Sequence, residues 1–293
     1  MLENPSVSNI ESSIDPKIGG VKGPFETSSS SAFGQILTNG FATITLESAH
    51  VRALENLYAE AEAFFVKDES TKLRYGTPNR VVGYRPPKYA HTGSIDKPDL
   101  NDSFLYWNDK RKSVPNSDEL EPFLTAIEAY RAVAETIVTR VMESMRSHYD
   151  YPYDVPFGDA SVMQINSFDV PTDERLLQHS HEDAVFLTVI TANAPGLEGV
   201  QDDAAIPISV NPNEVTVMPG SVMTDMTGGE IRPFYHQVRN HGSMGRKSVM
   251  YFVSPEVTGP VTPYKITDHN RGMNIRDRIV NNPQRFGLSG DFI

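Results

Sequence analysis

Two histidines and two acidic residues stand within five positions of one another in QHSHEDAVFLTV (residues 178–189), directly ahead of an apolar run. Alternate residues of a strand point to the same face, so His179, His181 and Asp183 would share one face and Glu182 would point away from it. Imidazole and carboxylate together suit a divalent metal ion. The alternatives are an acid/base pair and a solvated polar turn before a buried strand.

A metal site of this kind needs a third ligand from another part of the chain. His236, in PFYHQVRN, and His241 are both candidates. Two neutral imidazoles and one carboxylate on one side of a metal ion leave the opposite side open, which is the arrangement of non-heme Fe(II) oxygenases.

An arginine and a serine follow these histidines in RKSVMYFV (residues 246–253). Arg246 and Ser248 would lie on one face of a strand, and a guanidinium beside a hydroxyl is well suited to bind a carboxylate inside a barrel. Arg246 has few neutralising partners nearby in the sequence. Because a buried guanidinium without a partner is costly, we expect an anion to meet it.

The composition excludes several other kinds of chemistry. The 293 residues contain no cysteine, which removes disulfides, thiolate metal sites and cysteine nucleophiles. A net charge of −12 argues against non-specific binding to nucleic acid or to an anionic membrane. We find no signal peptide and no apolar stretch of about 20 residues, so we expect a cytoplasmic protein that acts on a small molecule. The sequence carries no signal for an oligomeric state.

The elements that would position these residues fall into two main parts. Residues 33–156 contain two amphipathic helices. Residues 157–260 alternate short β-branched runs with turns, a texture typical of a sandwich, barrel or jelly roll. Residues 1–32 are expected to be a loosely ordered arm, and residues 261–293 to contain a short helix. The predicted β runs are FATITL, ASVMQINSF, AVFLTVI, AIPISV, EVTVM, SVMTDMT, HQVRN and KSVMYFVS. We therefore predict one compact α+β unit with its helices packed outside a β core.

These motifs together resemble the isopenicillin N synthase-like branch of the Fe(II)/2-oxoglutarate-dependent oxygenases. That branch has an H-x-D motif, a distal histidine and an R-x-S motif, which match HED (181–183), His236 and RKS (246–248) here. MQINSF (163–168) resembles the family strand with an N-x-Y pattern that lines the cosubstrate pocket. The likeness covers most of residues 35–255, and it implies a double-stranded β-helix, or jelly-roll, core.

The resemblance also implies roles for individual residues. It makes His181, Asp183 and His236 the iron ligands, and Arg246, Ser248 and Asn166 the residues that bind 2-oxoglutarate. Phe168 departs from the pattern, which usually has a tyrosine there, and so removes one hydroxyl donor worth about 1 kcal/mol. The candidates for substrate contact are Arg85, Tyr106 and Phe252.

The implied activity is the oxidation of a small metabolite of secondary metabolism with Fe(II), 2-oxoglutarate and O2. The outcome is hydroxylation, desaturation or ring formation, with release of succinate and CO2. One alternative is an iron oxidase of the same fold that uses no 2-oxoglutarate, in which Arg246 and Ser248 bind a carboxylate of the substrate. Another is a metal-binding barrel without catalytic activity. Arg85 is the best candidate to anchor a substrate carboxylate.

Overall fold

The computed structural model describes residues 31–281, apart from 91–95, 111, 154–157, 170, 203, 243 and 256–258. The arm predicted over residues 1–32 therefore lies outside the described residues, except for its last two positions. Residues 282–293, at the end of the predicted C-terminal segment, also lie outside them. Among the described residues, no helix is both long enough and apolar enough to cross a membrane.

The two long helices form where apolar residues recur at helical spacing. In the described residues the helices are α1 (Ala32–Asn39), α2 (Ser48–Phe65), α3 (Glu69–Leu73), α4 (Glu121–His148), α5 (Ser221–Met226) and α6 (Ile275–Asn281). A 3-10 turn, Ser117–Leu120, leads into α4, whose first turn contains Pro122, a position where proline costs no helical hydrogen bond. The helix α6 confirms the short C-terminal helix.

The prediction of a strand over SVMTDMT is wrong, because this segment forms helix α5. Its buried residues Val222, Met223 and Met226 recur at the spacing of one helix face rather than at every second position. The backbone N–H of Ser221, at the start of α5, donates to the carbonyl oxygen of Asp183 at 2.9 Å. The helix is therefore attached to the segment that contains the H-x-D motif.

The described strands form two antiparallel sheets. The large sheet has the order β1-β9-β6-β11-β4-β3-β2, and the small sheet has the order β5-β10-β7-β8. The strands of the large sheet are β1 (Ala42–Thr45), β2 (Gly83–Arg85), β3 (Asp102–Trp107), β4 (Val162–Phe168), β6 (Leu187–Ala192), β9 (Glu214–Pro219) and β11 (Arg246–Val253). Those of the small sheet are β5 (Leu176–His181), β7 (Leu197–Gln201), β8 (Ala204–Pro207) and β10 (His236–Arg239).

The two sheets pack face to face. Phe168 of the large sheet belongs to a buried cluster with Leu177 and Val238 of the small sheet, and Met250 clusters in the same way with Leu197. This arrangement confirms the predicted jelly-roll core in an α+β fold. The strands β1, β2 and β3 come from the region before residue 157 and extend the large sheet at both edges, so one sheet joins the two parts of the chain.

The long helices cover the outer face of the large sheet. The ring centroid of Phe64 in α2 lies 5.1 Å from that of Phe104 in β3 and 5.2 Å from that of Phe123 in α4. Burying a side chain of this size contributes about 1.5–3 kcal/mol, so these contacts hold the helix layer on the sheet. The helices lie outside the sheet, as predicted, and the inner face of the sheet is turned toward the small sheet.

Candidate active site

His181, Asp183 and His236 lie together at one end of the small sheet. His181 is the last residue of β5 and is paired with His236, the first residue of β10, in the antiparallel register. Oδ1 of Asp183 lies 3.7 Å from Nε2 of His181 and 3.8 Å from Nε2 of His236. One potential ligand atom from each residue falls within 4.8 Å of the others, which is close enough for all three to hold one metal ion.

Hydrogen bonds orient both imidazoles toward this centre. Nδ1 of His181 lies 2.7 Å from the carbonyl oxygen of His179, and Nδ1 of His236 lies 3.2 Å from that of Phe234. Since a carbonyl only accepts, each Nδ1 must carry the proton, and each Nε2 presents its lone pair to the centre. His179 thus contributes through its backbone, and its side chain is not in the cluster.

A hydrogen bond to Oδ2, the oxygen that does not face the two imidazoles, holds the carboxylate of Asp183 in position. The hydroxyl of Thr188, on β6, donates to Oδ2 of Asp183 at 2.6 Å, and Thr188 is fully buried. This contact leaves Oδ1 facing the two imidazoles. Partners of this kind orient the direct ligands in metal sites. Nothing in the sequence indicates this role of Thr188, because a threonine within an apolar run is equally typical of an ordinary buried strand.

Gly220 allows the backbone to pack tightly beneath Asp183. A Cβ atom at position 220 would lie 2.1 Å from the carbonyl oxygen of Val185 and 2.6 Å from that of Asp183. No side chain fits there, so only glycine permits α5 to begin against this segment. The sequence signal was the PG pair before SVMTDMT, which indicates a turn but not the segment that it contacts.

His236 is neutral at physiological pH. Burial, and next the neighbouring His181, lower the pKa of His236 to about 4, although Asp183 acts in the opposite direction. A neutral imidazole is the form that binds a metal ion, so the site does not have to lose a proton from His236 first. The neutral form of His236 and the orientation of the three side chains are therefore those that a divalent ion requires.

Arg246 lies in the space between the sheets with its two terminal nitrogens unsatisfied. Its Nε donates to the carbonyl oxygen of Pro195 at 3.1 Å, but both Nη atoms are buried without a hydrogen-bond partner. The Cζ atom lies 4.9 Å from the ring centroid of Phe168. Burial lowers the pKa of Arg246 to about 10, so the guanidinium is still charged at neutral pH. No ion pair involves it within the described part of the chain.

A row of polar residues crosses the inner face of the large sheet beside Arg246. The strand registers place Arg85 opposite Ser103, Ser103 opposite Asn166, and Asn166 opposite Ser248. The Nδ2 of Asn166 is buried without a hydrogen-bond partner, like the nitrogens of Arg246. Arg246 is itself paired with Phe168, which is also on this face. The structure therefore brings Arg246, Ser248 and Asn166 together, as the sequence predicts.

Of the three residues suggested for substrate contact, two lie on the inner face of the large sheet and one lies on its outer face. Arg85 is 4% exposed on the inner face, and Phe252 shares the face of Arg246 and Ser248 on β11. Tyr106 does not lie on this face. Its hydroxyl donates to Oε1 of Glu128 in α4 at 2.5 Å, on the helix-covered side of the sheet, and the suggestion of a substrate contact is wrong. His241, the alternative third ligand, is exposed outside the cluster.

Known proteins share this architecture. Residues 144–255 match the model of the 2OG-Fe(II) oxygenase superfamily. A full-length Neurospora crassa protein, solved in complex with alpha-KG, has a TM-score of 0.71 at 18% identity over 88% of this chain and 89% of its own. A 2OG-Fe(II) oxygenase family protein from Caulobacter crescentus has a TM-score of 0.71 at 18% identity, over 86% and 92%. A dioxygenase for auxin oxidation from Arabidopsis thaliana, solved with 2-oxoglutarate, has a TM-score of 0.60 at 17% identity, over 79% and 90%.

The solved structures agree with the jelly-roll fold, and the family model covers the segment that contains His181, Asp183, His236, Arg246 and Ser248. The His-Asp-His cluster has the donor set that Fe(II) takes in such enzymes. Membership of the isopenicillin N synthase-like branch stays a prediction. The chain carries a 2OG-Fe(II) oxygenase domain and is an Fe(II)- and 2-oxoglutarate-dependent dioxygenase.

Proposed function

We propose that this enzyme oxidises a small-molecule metabolite, with Fe(II) held by His181, Asp183 and His236. Arg246 and Ser248, with Asn166 beside them, would hold 2-oxoglutarate. The observation that carries the assignment of 2-oxoglutarate is the buried, charged guanidinium of Arg246, whose two Nη atoms have no partner. A dicarboxylic 2-oxo acid supplies the missing anion and can also reach a metal ion with its other end.

The metal ligands fit a 2-oxo acid as well. Two neutral imidazoles and one carboxylate oxygen leave about three coordination positions of an octahedral ion open. Bound Fe(II) and 2-oxoglutarate would supply the oxidative decarboxylation that activates O2 for attack on a C–H bond. Thr188 would keep Oδ2 of Asp183 engaged so that the carboxylate binds through Oδ1 alone.

The residues around Arg246 would orient the cosubstrate. Each Nη would donate to the distal carboxylate, and the Ser248 hydroxyl and the Asn166 amide are further donors on the same face. The ring of Phe168 covers the guanidinium on one side and excludes water from it. Because charge-assisted hydrogen bonds are stronger in a dry environment, this burial favours tight and oriented binding.

Hydroxylation, desaturation and ring formation all begin with removal of a hydrogen atom from the substrate, so the same site serves each of them. Arg85 and Phe252 are the residues on the inner face that we propose contact the substrate. A small substrate is supported by further structures of the Neurospora crassa protein, which were solved with thymine and with 5-formyluracil.

An anaerobic titration tests the proposed function. Adding Fe(II) and then 2-oxoglutarate without O2 should give the visible charge-transfer band of a chelated 2-oxo acid, and turnover after O2 is admitted should release succinate. Arg246→Ala should weaken the chelate sharply. Arg239→Ala is the matched control, because Arg239 pairs with Glu198 on the other face of the small sheet. If no band forms at any concentration and no succinate is released, 2-oxoglutarate is not the cosubstrate and the oxidase alternative takes its place.

A further inference from the structure

Three hydrogen-bonded side chains on the inner face of the large sheet, here called the amide relay, connect Arg85 to Asn166. Nη2 of Arg85, on the edge strand β2, donates to Oε1 of Gln164 at 3.4 Å. Nε2 of Gln164 then donates to Oδ1 of Asn166 at 2.9 Å. Gln164 and Asn166 stand two positions apart on β4, so their side chains share one face of that strand.

The chemistry of its groups gives the amide relay one direction. A guanidinium carries only N–H donors, so the atom of Gln164 that faces Arg85 has to be the carbonyl oxygen. The NH2 group of Gln164 is then the end that faces Asn166, and Asn166 has to present its oxygen to it. If either amide were turned around, two donors or two acceptors would meet and a hydrogen bond would be lost.

Arg85 is a fixed starting point for this direction. It is 4% exposed, and its Nε donates to Oγ of Ser103 at 3.2 Å. Ser103 is the register partner of Arg85 on β3, and it is also the register partner of Asn166. Because Ser103 holds one nitrogen of the planar guanidinium, the group cannot turn freely, and Nη2 stays directed at Gln164.

The far end of the amide relay is the Nδ2 atom of Asn166, which is buried without a hydrogen-bond partner. Since Oδ1 of Asn166 accepts from Gln164, Nδ2 is turned away from Gln164. The neighbouring strand β11 places Ser248 opposite Asn166 and Arg246 two positions before Ser248. Nδ2 and both Nη atoms of Arg246 are unsatisfied donors, so a group bound between them has to offer oxygen acceptors, as a carboxylate does.

We infer that Gln164 is a positioning residue for 2-oxoglutarate, because it fixes the amide of Asn166 with the NH2 group toward the cosubstrate. This inference rests on the proposed function. An amide that is free to turn can also present its carbonyl oxygen, which repels a carboxylate. The amide relay excludes that orientation before the ligand arrives, so binding does not have to include the cost of ordering the donor.

Gln164→Glu tests the direction of the amide relay with almost no change in size. Beside Arg85 the new carboxyl group stays ionised and can only accept, so Asn166 should turn its Nδ2 toward it and its oxygen toward the ligand. Calorimetric titration of the Co(II)-loaded protein should then show that 2-oxoglutarate binds at least about tenfold more weakly. The melting temperature without ligand should not fall, because Nδ2 has gained a partner.

A double-mutant cycle with Asn166→Ala separates this mechanism from a direct effect of the new charge on the ligand. In the Asn166→Ala background, Gln164→Glu should have little further effect on the Kd of 2-oxoglutarate. Gln164→Met removes both hydrogen bonds without adding a charge, and it should weaken binding by a smaller factor, again only while Asn166 is present. Gln35→Glu is the matched control and should bind as wild type does, since a glutamate can still accept from the backbone N–H of Thr43.

The inference is overturned if Gln164→Glu leaves the Kd of 2-oxoglutarate unchanged, or if it weakens binding equally with and without Asn166. A lower melting temperature without ligand, at an unchanged Kd, would show that Gln164 only supports the fold. If Gln164→Glu does not fold, Gln164→Met in the two backgrounds decides between the same outcomes. A wild-type protein that binds no 2-oxoglutarate would instead count against the proposed function itself.

Discussion

The metal cluster and the anion site are built on opposite principles. At the metal cluster, each ligand has a hydrogen-bond partner on the side that faces away from the metal position. Two backbone carbonyls accept from the imidazoles, and the hydroxyl of Thr188 donates to Asp183. At the anion site, both Nη atoms of Arg246 and the Nδ2 of Asn166 are buried and have no partner. The first site is shaped by the protein alone, whereas the second is completed only by its ligand. Buried unsatisfied donors cost about 1–3 kcal/mol each, so anion binding should stabilise the fold noticeably.

The largest effects should follow removal of a metal ligand. His181→Ala, Asp183→Ala and His236→Ala should each abolish Fe(II)-dependent turnover while circular dichroism shows the fold intact. Loss of a direct ligand should weaken metal binding by more than the roughly 10–100-fold that is typical for loss of an orienting partner. His179→Ala should keep most activity, since its backbone carbonyl makes the contact. An active His236→Ala together with an inactive His241→Ala would show that the third ligand is misassigned.

Arg246→Ala should have the next largest effect. It should weaken the binding of 2-oxoglutarate and leave metal binding unchanged. Truncating one member of a buried, hydrogen-bonded charge pair costs about 2–5 kcal/mol, which is at least about 30-fold in the Kd of 2-oxoglutarate. Calorimetric titration of the Co(II)-loaded protein measures this directly. Without ligand, the variant should be no less stable than wild type, because it removes the unsatisfied donors. A marked loss of stability without ligand would contradict the comparison of the two sites.

Thr188→Val should weaken metal binding about 10–100-fold through Asp183, because Oδ2 loses its donor and the carboxylate is free to rotate. Competition with a chromophoric chelator measures the change, and Thr188→Ser should restore most of it. Thr191→Val is the matched control, since Thr191 lies on the opposite face of the same strand and donates to the carbonyl oxygen of Glu214. Equal losses in both variants would indicate a general effect on β6.

The sequence was sufficient for the parts of the site that follow from strand periodicity and from matched motifs. Parity placed Arg246 and Ser248 on one face, and the family motifs selected His236 over His241. Prediction from the sequence failed where the role of a residue depends on packing between distant segments. Tyr106 alternates onto the helix side of β3, and this depends on a register set by β2 and β4. Thr188 and Gly220 gain their roles from contacts with Asp183 that no local pattern indicates.

The smallest expected effect concerns Phe168, the residue that departs from the family pattern. Phe168→Tyr would add a hydroxyl beside Arg246, in a pocket with Leu100, Leu177 and Val238. Without ligand, that hydroxyl lacks an acceptor and should lower the melting temperature, because a buried unsatisfied group costs about 1–3 kcal/mol. With 2-oxoglutarate bound, it gains an anionic acceptor and should tighten binding by about 1 kcal/mol, or roughly fivefold.

Thermal melts with and without 2-oxoglutarate measure both parts of this prediction on one sample. The gap between the two melting temperatures should widen in Phe168→Tyr and nearly close in Arg246→Ala. Phe252→Tyr, on the same face of β11 but further along the strand, is the control and should leave the gap unchanged. If the gap narrows in Phe168→Tyr, the prediction is wrong. The ring of Phe168 would then favour anion binding by covering Arg246, and a tyrosine hydroxyl at this position would not improve binding.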